Sequence, residues 1–265
     1  MPDVIVERHG GVMLLRLNRP DRMNAMGGTL LDELQAAFEQ GGRDDRVRVF
    51  VVTGEGRAWC AGADLMSVGE RRAAPEVPSR RFNQLDPLGG PGRNILSIYQ
   101  CGKPTIAAVN GVAVGGGFGL CSSFDIRIAS EQARFGTIFI KRALASDYGL
   151  SWFLPRLVGP ERAAELFYTG RILDANEALE LGIVSRVVPH EKLMEESMAF
   201  AGEIARQPPT ALMYARQMLQ HSQGASLQQQ LAFEWPLQLR CLASDEFQEG
   251  VAAFREKRDP DFTKF

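Results

Sequence analysis

The 265 residues suit one large domain, or a core with a smaller appendage. A hydrophobic content of 45% is enough for a packed interior, and a formal net charge of −2 lacks the excess of either sign that a nucleic-acid or anionic-membrane binder needs. No apolar stretch approaches a membrane span, and the start MPDVIVERHGG has acids where a signal peptide needs basic and then apolar residues. Cys60, Cys101, Cys121 and Cys241 lack C-x-x-C spacing and the chain has three histidines, so no metal site is expected; the cysteines read as buried free thiols of a reducing, cytoplasmic compartment.

Residues 4–7 and 12–17 flank His9-Gly10-Gly11 and predict a hairpin. Thr29 is placed to cap a helix in which Leu30, Leu31, Leu34, Ala37 and Phe38 recur at helical spacing. The apolar run 47–53 predicts a buried strand. Between residues 66 and 93 periodicity fails and arginines mix with prolines, so a functional loop is expected there. Strand signals return at 106–109 and 126–129, with a short helix from about Gly117 between them. This rhythm gives an α/β class with repeated crossovers. Gly159-Pro160 opens a further helix that ends near Gly170, and Asp174 with Glu177 forms a capping-box pattern. From Thr210 the chain reads as helical. Leu212, Ala215, Met218 and Leu219 make one apolar stripe, and Phe247, Val251 and Phe254 another, both expected to be packing surface.

Two glycine turns stand out. In residues 101–125, CGKPTIAAVNGVAVGGGFGLCSSFD, an apolar run leads through Asn110-Gly111 to Gly115, Gly116 and Gly117 at the start of the short helix. In residues 58–65, AWCAGADL, the small residues Ala61, Gly62 and Ala63 follow the strand at 47–53. Bare main chain after two buried strands can aim two N–H donors at one carbonyl oxygen and hold the negative charge that develops there during reaction.

The blocks NRPDRMNAM (18–26), AGADL (61–65), KPTIAAVNGVAVGGGFGL (103–120), ARFG (133–136), LPRLVG (154–159) and FREKRDPDF (254–262) resemble the crotonase, or enoyl-CoA hydratase/isomerase, superfamily in order over almost the whole chain. The resemblance implies a spiral of ββα repeats over residues 1–200, and a C-terminal helical region at 201–265 that builds homotrimers, commonly paired into hexamers. It implies a coenzyme A thioester as substrate, with no separate cofactor, and oxyanion donors on Ala63 and Gly116. It also points to coenzyme A contacts at Arg22 and Ala61, with Phe254 and Lys257 reaching a neighbouring subunit's ligand. In this family the segment at 66–93 covers the acyl pocket.

The chain departs from the hydratase branch at both water-handling glutamates: Gly119 and Phe139 stand there, and neither can hold or deprotonate a water. Asp147 matches the position of the acid in several isomerases of the family. One carboxylate suffices for a 1,3-proton shift, and Phe118, Phe139, Tyr148 and Trp152 are candidate apolar walls that would raise its pKa. Gly119, by removing a side chain, would open the acyl pocket to a bulky group. Ser146 replaces the proline frequent in isomerases, so a different enolate reaction or covalent catalysis by Asp147 stays open, as does a non-catalytic acyl-CoA binder. Asp147 as a simple turn cap is the structural alternative. Asp64 reads as a residue that orients its turn, His190 as a helix-start residue, and Glu70 and Asp86 as remoter candidates for a second acid.

Overall fold

The computed structural model describes residues 1–64 and 86–265. Strands β1 (Val4–His9) and β2 (Val12–Leu17) pair antiparallel, with His9 opposite Val12 and a two-residue turn at Gly10-Gly11. Helix α1 (Leu30–Arg43) buries Leu30, Leu34, Ala37 and Phe38 at the expected spacing. Thr29 makes no side-chain cap. Instead the Asp3 carboxylate accepts the Thr29 N–H at 2.9 Å, so the helix start is capped from the N-terminal segment.

A spiral follows. Strand β3 (Val49–Gly54) lies in a large sheet, and β4 (Ala58–Cys60) leaves it for a smaller one. Helix α2 (Gly89–Tyr99) returns the chain to β5 (Thr105–Val109) in the large sheet and β6 (Val112–Val114) in the small one. Helix α3 (Gly116–Ser122) then leads to β7 (Ile126–Ser130) and β8 (Arg134–Gly136), again one strand per sheet. Each strand pairs parallel with its counterpart one repeat earlier: β3 with β5 and β5 with β7, β4 with β6 and β6 with β8. The ββα spiral expected from the resemblance is the fold observed.

The large sheet is buried on both faces, which is why its strands read as unbroken apolar runs. Leu15, Phe50, Val52, Ala107 and Val109 enter one core cluster, which continues into α1, α2 and α3. Leu14, Val49, Val51, Ile106, Ala108 and Ile128, of opposite parity, meet Leu193 and Ala201 of helix α7 (Leu193–Ala205) in a second. Between them the chain forms α4 (Leu150–Val158), α5 (Pro160–Thr169), β9 (Ile172–Asp174), α6 (Ala175–Glu180) and β10 (Arg186–Val188). The capping box of α6 is present in both directions, at 2.9 and 3.0 Å. The domain division expected at residue 200 falls inside α7.

Two expectations are corrected. The irregular stretch does not run to residue 93: α2 begins at Gly89, with Pro91 in the first turn, where its missing N–H has no acceptor to lose. Asp86 accepts the Leu88 N–H at 3.1 Å and pairs with Arg93, which fixes it at that helix start. Glu70, and the loop expected over residues 66–85, lie outside the described residues.

The last helices, α8 (Pro209–Ser222), α9 (Leu227–Leu242) and α10 (Asp245–Glu256), also depart from the sequence reading. Helix α8 buries Arg216 in place of the apolar stripe. Arg216 Nε donates to Asp125 at 2.7 Å, and its other nitrogens bond the carbonyls of Tyr99 and Ile98. Leu219, Trp235, Phe247 and Phe254 stay open on the chain's surface, Phe254 at 85% exposure. No helix among the described residues is long and apolar enough to cross a membrane.

Candidate active site

Beyond β4, Met26 and Ala63 form an isolated parallel bridge. Met26 N donates to Gly62 O at 2.7 Å, and Asp64 N donates to Met26 O at 3.2 Å. Those bonds use the groups on either side of Ala63, so the Ala63 N–H faces the opposite way and donates to no described residue. Asp64 is buried and pairs with Arg19 at 3.1 Å, which braces the turn; it acts there as a strut. A side chain at Gly62 would sit 2.8 Å from Val114 O and 3.3 Å from Gly116 N. The bare Cα of Gly62 therefore lets the first turn lie directly against the second.

In that second turn the three glycines have three different reasons. Gly115 has φ +57 and ψ −129, a backbone shape that a side chain would strain, and its N–H is tied to Gly136 O of β8 at 2.9 Å. Gly117 packs α3 onto Cys60 of β4 so tightly that a Cβ would lie 2.8 Å from the Cys60 carbonyl carbon. Gly116 opens α3, and its N–H is one of the helix-start donors with no intrahelical acceptor.

Asp147 arrives from the far side, at the end of the segment that follows the short helix Ile138–Arg142. Leu150 N donates to Asp147 O at 3.2 Å across Tyr148 and Gly149, both left-handed with φ +50 and +69. This is the pattern of a type I′ turn, natural for Gly149 but costing about 1–3 kcal/mol for a tyrosine. Asp147 remains exposed as a residue, yet enough protein crowds its carboxylate that burial raises its pKa, opposed by a hydrogen bond from its own N–H. Tyr148 is only 7% exposed, and burial, then the Asp147 charge, push its phenol further up, so it stays protonated.

These pieces meet in one cleft of about 80 Å³, lined by Ala61, Gly62 and Ala63 from the first turn and Gly115 and Gly116 from the second. Asp147 and Tyr148 close it from the far side, with Ile138, Phe139, Arg142 and Leu144 as the remaining wall. Larger hollows lie elsewhere, one of 480 Å³ between α1 and α2 and one of 420 Å³ along α10, but neither joins bare main-chain donors to an acid.

The sequence-predicted residues thus divide. Ala61, Ala63, Gly116, Phe139 and Asp147 come together in the cleft. Phe118 does not line it: the outward-facing side of α3 is taken by glycines, and the Phe118 ring is fully buried 5.6 Å from Phe135. Trp152 also lies outside, packed edge-on to Tyr99 and Phe153, with the Arg156 guanidinium 4.0 Å above its ring. Gly119 opens no space, because a Cβ there would lie 2.7 Å from Tyr148 Cβ and 3.0 Å from its carbonyl oxygen. The Tyr148 turn occupies the room that Gly119 gives up.

Arg22 is exposed, on a turn whose neighbour Met23 accepts the Ala61 N–H at 3.0 Å. Phe254 lines the separate groove along α10, and Lys257 caps that helix with φ +54, away from the cleft lining. His190 starts a short helix and bonds Ser130 at 3.0 Å. Ile138, Arg142 and Leu144 were not singled out from sequence; their nearness to Phe139 and Asp147 in the chain was the available signal.

The sequence model described as enoyl-CoA hydratase/isomerase matches residues 7–264. The chain is 36% identical over 255 residues to the 1,2-epoxyphenylacetyl-CoA isomerase of Escherichia coli strain K12, covering 96% of this chain and 95% of that one. It is likewise 36% identical over 262 residues to the 2,3-dehydroadipyl-CoA hydratase of the same organism, covering 99% of each. Among solved structures, an enoyl-CoA hydratase from Bacillus anthracis superposes with a TM-score of 0.91 at 33% identity, over 100% of both chains.

Proposed function

This chain belongs to the enoyl-CoA hydratase/isomerase family, and from that premise we propose that it moves the double bond of an enoyl-CoA, with Asp147 carrying the proton. The observation behind the proposal is the single cleft in which Asp147 faces the Ala63 and Gly116 turns. The thioester oxygen accepts hydrogen bonds from the Ala63 and Gly116 N–H groups. Asp147 takes a proton from the carbon beside the carbonyl; the electron pair of that C–H bond forms a carbon–carbon double bond as the carbonyl π pair moves onto the thioester oxygen. The resulting dienolate is held by the two donors, each worth about 3 kcal/mol where such donors have been removed elsewhere. Asp147 then returns the proton two carbons away, so acid and substrate end balanced. A carboxylate whose pKa is raised by burial is a stronger base for this step than an ordinary surface aspartate.

In this reading coenzyme A leaves the cleft past the Ala61 main chain, which lies beside its adenine, with Arg22 near its phosphates. The exposed apolar surface of α8 to α10 supports a homotrimer or a dimer of trimers, in which Phe254 and Lys257 reach a neighbour's ligand. Four cysteines without a disulfide fit a cytoplasmic setting.

The test is proton NMR of 3-enoyl-CoA thioesters in deuterated water, with the wild type beside Asp147→Asn. The expected result is deuterium beside the carbonyl and a 2-enoyl product, both lost in the variant. Unimpaired exchange in Asp147→Asn refutes the assignment, and tight binding of acyl-CoA with no exchange in either protein favours the non-catalytic binder.

A further inference from the structure

Of the three glycines in helix α3, Gly116 and Gly119 are three residues apart and so on one face, and the same residue fills the space above both. A Cβ at Gly116 would lie 2.8 and 3.0 Å from Tyr148 Cδ2 and Cε2. One at Gly119 would meet Tyr148 Cβ at 2.7 Å, Tyr148 O at 3.0 Å and Asp147 O at 3.2 Å. Tyr148 is left-handed, with φ +50, and buried, so its ring lies on the helix and not in solvent. Helix and turn are therefore cut to each other, and the closure sits directly beside the Gly116 donor.

For water to add to a conjugated thioester, its oxygen must reach the third carbon while a base within hydrogen-bond reach takes its proton. Asp147 is the one carboxylate among the described residues that line the cleft. The face over Gly116 and Gly119, next to that carboxylate, is filled by the tyrosine ring and its main chain. Beside it the wall continues with Phe139 and Leu144, whose side chains offer a water no hydrogen bond, and with Arg142, which can donate to a water but not take its proton.

We propose that Tyr148 is a specificity-determining residue: its ring closes the α3 face of the cleft to water, so that Asp147 exchanges protons with carbon and not with a water nucleophile. This rests on reading the cleft as an acyl-thioester site. It makes the block on hydration steric as well as a matter of absent carboxylates. Restoring an acid by Gly119→Glu alone then gives no hydratase, because its side chain collides with Tyr148.

The test uses crotonyl-CoA in heavy-oxygen water, with product oxygen read by mass spectrometry and folding by thermal melts. The proteins are the wild type, Tyr148→Phe, Tyr148→Gly and Tyr148→Asn; glycine and asparagine both tolerate a left-handed backbone. In the glycine and asparagine variants water's oxygen bonds to the third carbon, the double-bond pair moves through the enolate, and Asp147 passes water's proton to the second carbon. Those two variants are expected to incorporate at least about tenfold more heavy oxygen than the wild type, with Tyr148→Phe, which keeps the ring, staying at the wild-type level. No gain in either folded variant overturns the proposal, and so does an equal gain in Tyr148→Phe. Deuterium exchange is read separately, so a wild type that fails as an isomerase still leaves the heavy-oxygen comparison decisive.

Discussion

Gly117→Ala separates packing from chemistry because the residue does not line the cleft. Its new methyl would stand 2.8 Å from the carbonyl carbon and 3.0 Å from Sγ of Cys60, and closer still to the carbonyl oxygen, where ordinary contact begins at 3.4 Å. Neither side yields easily. Cys60 is fixed by β4, whose parallel partner β6 carries Ala113 beside it, and Gly117 lies within the first turn of α3. The helix must back away by about 1 Å, and the Gly116 N–H moves with it. A reacting group misplaced by about 1 Å loses about a hundredfold in rate, and overpacking of this size costs about 1–3 kcal/mol of stability.

The assay pairs deuterium exchange into a 3-enoyl-CoA with a thermal melt. Gly224→Ala is the control, since nothing lies within 4 Å of its added methyl. An exchange rate within a factor of two of wild type in folded Gly117→Ala would refute the placement of the Gly116 donor.

Arg216→Ala should cost about 1–3 kcal/mol, read by urea unfolding, because it removes a buried guanidinium that bonds Asp125 and the Ile98 and Tyr99 carbonyls, which keep Thr105, the Cys101 N–H and Gln220 as partners. Activity should rise with pH through a midpoint above that of an ordinary aspartate, since burial raises the Asp147 pKa and the base is its charged form. The stability sign follows from the same shift. With the folded pKa above the unfolded one, the contribution is complete below the unfolded pKa and is lost as pH rises through the folded value, so Asp147→Asn should be the more stable protein at neutral pH, checked by melts across pH. Burial pushes the Cys60 and Cys121 thiols up to about 12, so a thiol reagent should label the native protein at Cys101 and Cys241 and reach the other pair only on unfolding.

Periodicity made an α/β fold with repeated crossovers legible because the strands are buried on both faces and the helices on one, so each leaves a plain apolar pattern; the spiral itself came from the resemblance. Gly115, Gly116 and Gly117 were legible as a donor turn for the same kind of reason: no other residue permits that backbone shape and that approach to β4. Helix α2 was hidden because its first turn, Gly-Gly-Pro-Gly, has the composition of a loop and is tolerated only where its N–H groups lack acceptors. Arg216 was hidden because nothing local marks a cation whose partners are Asp125 and the carbonyls of Ile98 and Tyr99. Phe118 and Trp152 were sorted wrongly because a sequence shows that an aromatic lies near the site but not which side of its helix meets the cleft. Gly119 misled most. A glycine looks like vacant space, and here it is the mark of close contact.

That contact also explains how the site is divided. The two donors sit on main chain that is held by a β-bridge at Ala63 and by packing on β4 at Gly117, so neither can move without disturbing the sheets. The acid sits on a separate turn anchored by Leu150 N to Asp147 O, whose geometry requires φ above zero at Tyr148. On the proposed mechanism, charge stabilisation is thereby fixed by the fold, while the identity of the proton carrier and the admission of water depend on three residues of one turn. A change in reaction outcome on this scaffold should therefore follow from substitutions at 147–149 that leave the stability of the sheets untouched. Substitutions at Gly62 or Gly117 should lower every reaction of the cleft together, because they act on the donors that all of them share.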